Sequence, residues 1–166
     1  MKLRAIAVCS TLMLAAALAA GCGGQNDAVD PSVDGSALLY SCATETRAVP
    51  YTANLSRPSL SGRSTAILVK SDPAPPVKGT NDWTLKILDA SGAPESGLTI
   101  KASPFMPDHG HGPSVLPIVT PVSGQAGTYL ASPVYLFMAG YWEVTFTWQP
   151  ATGAQESAVF PICIPG

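Results

Sequence analysis

The sequence predicts an all-β protein: an immunoglobulin-like antiparallel β-sandwich of about seven strands. Composition is the first reason, since 166 residues include 15 Gly and 16 Pro but only 12% charged and 7% aromatic side chains. That mixture suits short strands joined by turns better than long helices. The second reason is a set of short runs in which apolar and polar residues alternate with period two. The third is spacing, because turn signals separate these runs every ~8 to 15 residues, as in a sandwich. A closed barrel is the alternative architecture. No internal repeat and no helical period follows the first segment.

That first segment, residues 1–21, reads as a secretory leader. Lys2 and Arg4 supply a positive start, an apolar run covers 5–20, and small residues precede Cys22. The ending Leu18-Ala19-Ala20-Gly21-Cys22 resembles the lipobox of bacterial lipoproteins, with Ala19 where a larger aliphatic is usual. The resemblance implies a diacylglycerol on the Cys22 sulfur and cleavage just before it. An uncleaved signal anchor is the other reading, since the run approaches the ~20 residues that cross a bilayer. The polar, turn-rich sequence that follows immediately argues against it.

Lipid on Cys22 would make the membrane a partner, each buried methylene contributing roughly 0.8 kcal/mol. The rest of the chain would lie in the bacterial cell envelope, on the periplasmic face or at the outer membrane. Residues 22–36, rich in Gly, Gln, Asn and Asp, have too little apolar surface to offset ordering and read as a flexible tether. Loss of the leader removes Lys2 and Arg4, leaving seven basic residues against eleven acidic ones. Nucleic acid is therefore not an expected partner.

Residues 37–62 show no clean period and are expected to form an irregular arm packed on a domain at 63–166. Setting aside Cys9 in the leader and Cys22 on lipid leaves Cys42 and Cys163, near opposite ends of the globular part. In an oxidising compartment they predict a disulfide stapling the arm to the last strand. A pair of soft metal ligands is the rival role.

Strand signals then come in sequence. Residues 65–70 are β-branched and apolar, and Asp72-Pro73-Ala74-Pro75-Pro76 interrupts them. Trp83, Leu85 and Ile87 alternate with Thr84 and Lys86, and Leu98, Ile100 and Ala102 with Thr99 and Lys101. Residues 115–121 are apolar but proline-marked, which places them at a sheet edge. Residues 128–131 follow a Gly-rich turn. The strongest pattern is 141–148, where Trp142, Val144, Phe146 and Trp148 share one face and Glu143, Thr145 and Thr147 the other. Residues 155–163 close the set.

Function centres on Met106-Pro107-Asp108-His109-Gly110-His111-Gly112, which contains both histidines of the chain. In an extended segment His109 and His111 point the same way, and Gly110 and Gly112 allow a close approach or an unusual turn. Imidazole suits copper, zinc, nickel and iron, whereas thioether selects Cu(I). Met106 and Met138 can supply that thioether, and Asp108 an oxygen for a harder ion. A bland reading stands beside this one: the histidines bond nearby backbone and the methionines fill core.

No enzyme is expected. Two histidines cannot make a three-histidine zinc site, and no nucleophile elbow, phosphate loop or His-Glu-x-x-His occurs.

Residues 83–148 resemble the YtkA-like domain, a family related to the FixH proteins. The resemblance rests on Phe105-Met106-Pro107-Asp108-His109-Gly110-His111-Gly112, then Gly127-Thr128-Tyr129, then Phe137-Met138-Ala139-Gly140-Tyr141-Trp142-Glu143-Val144. It implies an immunoglobulin-like sandwich outside a bacterial membrane, often as a lipoprotein. Kinship with FixH implies copper handling or cytochrome oxidase assembly, although a lipobox replaces the longer FixH anchor. The expectation is a lipid-anchored envelope protein binding copper through Met106, His109, His111 and Met138. The alternative is a structural or protein-interaction module with an envelope protein as partner and no metal.

Overall fold

A computed structural model describes residues 40–166. The leader, Cys22 and the tether lie outside the described residues. Eight strands follow a short 3-10 turn at Cys42–Thr44: β1 Leu55–Pro58, β2 Thr65–Asp72, β3 Gly79–Leu88, β4 Ile100–Phe105, β5 Ile118–Pro121, β6 Thr128–Leu136, β7 Gly140–Trp148 and β8 Glu156–Ile164. They form an antiparallel sandwich of two sheets, one ordered β1-β2-β3-β6-β5 and the other β4-β7-β8. The extra strand is β1. Residues 37–62 are thus not irregular throughout: half-buried Leu55 and Arg57 alternate with exposed Ser56 and Pro58, and β1 pairs with β2 at the sheet edge.

The period-two runs become the two inner faces. Trp83, Leu85 and Ile87 of β3 face Trp142, Val144, Phe146 and Trp148 of β7, all completely or almost completely buried. Trp83 meets the rings of Phe146 and Phe160 at centroid distances of 6.1 and 6.2 Å. Each such side chain contributes about 1.5–3 kcal/mol by leaving water, so the facing aromatic and aliphatic rows dominate cohesion. β7 lies between β4 and β8, which is why its apolar row is the most complete in the chain. β5 takes an edge, in keeping with the Pro121 that ends it and the Pro117 just before it.

The arm covers the open edge of β8. Outward carbonyls of Ser157, Val159 and Pro161 accept from Leu60 N at 2.8 Å, Arg57 Nε at 3.0 Å and Val49 N at 2.9 Å. These bonds satisfy an edge that would otherwise invite pairing with another chain. Cys42 and Cys163 are disulfide-bonded, joining the arm to β8 with Cα atoms 5.7 Å apart.

Candidate functional site

β4 ends at Phe105, and the chain reverses directly afterwards. Met106 N donates to His111 O at 2.8 Å, while His109 N and Gly110 N both donate to Met106 O at 3.2 and 2.9 Å. Gly110 sits at φ +70°, a conformation that side chains rarely adopt, and it turns the segment back on itself. Gly112 runs so close to β4 that a Cβ there would overlap the Pro104 carbonyl oxygen. The His-x-His segment is thus a closed turn, not the extended stretch its spacing suggests. The physical reason is that Met106 and His111 pair as an isolated antiparallel bridge.

The turn nevertheless brings the imidazoles together. His109 and His111 are both exposed, with ring centroids 5.7 Å apart and planes at 57°. With metal–nitrogen bonds of ~2.0–2.1 Å, two imidazoles on one ion have centroids no more than about 6 Å apart. The pair already satisfies that limit. His111 also stacks on Phe137 at 5.6 Å, and Phe137 meets Trp142 edge-on at 5.5 Å, so the aromatic core supports the exposed ring.

The two methionines belong to the same corner but to deeper layers. Met106 is fully buried, and its methyl group occupies the space where Gly140 has no side chain. Met138 is half-buried against the core, and its carbonyl accepts from Trp142 Nε1 at 3.0 Å. The structure therefore places His109 and His111 side by side on the surface, with Met106 buried against Gly140 and Met138 next in the chain to the Phe137 ring that stacks on His111. Packing accounts for both methionines as they stand.

Asp108 is already engaged. Arg47 NH1 and NH2 each lie 2.6 Å from one of its carboxylate oxygens. The same guanidinium binds Glu45 through Nε at 2.9 Å and NH2 at 2.6 Å, and it lies 4.2 Å from the ring centre of Tyr141. These hydrogen bonds from Arg47 hold the Glu45 carboxyl down to about 2 and lower that of Asp108 as well. Burial, followed by its hydrogen bond to Glu143, pushes the Tyr141 phenol up to about 12.

Sequence reasoning missed Arg47, Glu45 and Tyr141 as neighbours of the histidine turn. No local signal carries the link, since Arg47 and Asp108 are 61 positions apart. Phe137 was legible only as part of the third family motif. Among the described residues, no three His, Cys, Asp or Glu side chains gather as metal ligands would. A metal at this turn must therefore complete its coordination with thioether, solvent or a partner's group.

A family model described as YtkA-like matches residues 61–147, taking in β2 through most of β7. Nothing matches among curated proteins or among solved structures.

Proposed function

The chain belongs to the YtkA-like family, and from that premise we propose that it is a lipid-anchored protein of the bacterial envelope that binds copper at the His109–His111 turn. The observation that carries this reading is the pair of exposed imidazoles with centroids 5.7 Å apart, held by a turn whose ends are bonded to each other. His109 and His111 are the primary donors. Met106, buried at the foot of the turn, and Met138, beside Phe137 in the chain, are the thioethers that would favour Cu(I) if either side chain rotates toward the imidazoles. Anchoring rests on the leader and on Cys22, and the reading is that of a binding protein, not a catalyst.

The test is titration of the full-length lipidated protein in detergent with Cu(I), under competition from a chromogenic chelator, and separately with Cu(II). One equivalent should bind, and the double variant His109→Ala, His111→Ala should lose at least tenfold in affinity. Copper binding that survives unchanged in that variant would discredit the site. Cys22→Ser should shift the protein out of the membrane fraction.

A second reading has its own observation. Val115, Leu116 and Ile118, just after the turn, are 53%, 57% and 70% exposed, as a docking face for another envelope protein would be. A protein without copper affinity that co-purifies with an envelope partner, and loses it in Leu116→Ser, Ile118→Ser, would favour this alternative.

A further inference from the structure

Two imidazoles beside a free carboxylate form a donor set suited to Fe(II), Zn(II) or Ni(II), whereas imidazole with thioether alone leans toward copper. Asp108 immediately precedes His109 and is the carboxylate that could join the imidazoles if freed, although as held by Arg47 it does not gather with them. Both of its oxygens are instead taken by Arg47, fork to fork. Arg47 is in turn fixed from three directions: Glu45 binds its Nε, NH2 and backbone N, Tyr141 lies beneath its guanidinium, and the Cys42–Cys163 disulfide ties down its arm. A guanidinium this preorganised loses little freedom on holding its carboxylate.

We infer that Arg47 sets the metal preference of the turn: by occupying Asp108 it withholds the hard oxygen ligand, so the histidines are left to a soft ion. This rests on the reading that His109 and His111 bind metal. Arg47 is a specificity-determining residue that need not touch the ion. Its cationic head beside the turn also disfavours any cation, so the experiment must separate ligand release from loss of charge.

A double-mutant cycle does so, with Zn(II) and Cu(I) titrated separately into the full-length protein and into the Arg47→Leu, Asp108→Asn and combined variants. Ligand release predicts that Arg47→Leu raises Zn(II) affinity about tenfold, or ~1.4 kcal/mol. While Arg47 is present, Asp108→Asn should change Zn(II) and Cu(I) affinity alike, through charge alone, but it should cancel the Zn(II) gain when Arg47 is absent. Cu(I) affinity should rise less than Zn(II) affinity.

The inference is overturned if Asp108→Asn has the same effect with and without Arg47, because the change would then be one of charge alone. It is also overturned if Arg47→Leu leaves Zn(II) binding unchanged while wild-type protein binds copper. Should no titration depend on His109 and His111, the copper reading falls first and this inference with it. Arg47→Gln, which keeps much of the stem but cannot hold both Asp108 oxygens, should raise Zn(II) affinity in the same direction and serves if Arg47→Leu folds poorly.

Discussion

Arg47 and Asp108, 61 residues apart in the chain, meet through two parallel contacts of 2.6 Å between guanidinium nitrogens and carboxylate oxygens. The contact ties the arm to the histidine turn. Both side chains remain nearly half exposed, at 46% and 44%, so water screens much of their attraction. Geometry here exceeds stability: the pair fixes where Asp108 points more than it holds the fold together.

It follows that the disulfide, not the ion pair, should govern the arm's contribution to stability. A bridge closing a sequence separation of 121 should contribute about 2–5 kcal/mol, against ~0.2–1 kcal/mol for an exposed pair. In urea melts, Cys42→Ser with Cys163→Ser is expected to lower the midpoint several times more than Asp108→Asn does. Comparable losses in the two proteins would contradict this ordering.

The arm should also hold through moderate acidity. Glu45 has its carboxyl lowered from 4.5 to about 2 by Arg47, so its contribution is fully present above 4.5 and is lost as pH falls through about 2. Limited proteolysis around residues 45–50 is expected to stay slow at pH 4 and to accelerate near pH 2. The alkaline side has the opposite sign: Tyr141, raised from 10.0 to about 12, favours the fold below 10 and ceases to as pH passes 12. Ultraviolet titration should show a phenolate transition near pH 12 that Tyr141→Phe removes.

The tryptophans of β7 should differ in their sensitivity to loss of the indole N–H. Trp142 donates to the Met138 carbonyl, whereas Trp148 Nε1 has no partner among the described residues. Both rings are buried, so replacement by Phe removes similar apolar surface. Trp142→Phe additionally loses a part-buried hydrogen bond, at a cost of about 0.5–1.5 kcal/mol. Thermal unfolding should therefore place Trp142→Phe below Trp148→Phe, and the reverse order would remove Trp142 as the support of Met138.

Much of the fold was legible from residue order. The alternation in β7 could be read directly because a strand buried on one face repeats its environment every second residue, and Trp142 to Trp148 keep that period without a break. The Cys42–Cys163 bond followed from counting cysteines. β1 was hidden because its four residues end in proline and are only half buried, leaving little periodic signal. The histidine stretch was legible as a candidate but not as a shape, because Gly110 permits a turn without requiring one.

By itself the sequence determined the all-β class, the apolar rows along individual strands and the short segment in which both imidazoles reside, since each depends on residues close together in the chain. Only the tertiary structure decided that Met106 lies beneath the turn, that Phe137 supports His111 and that Asp108 is taken by Arg47. These relationships join side chains on separate strands and on the arm. Such contacts are set by how the sheets stack and where the disulfide pins the arm, and local patterning carries no record of either.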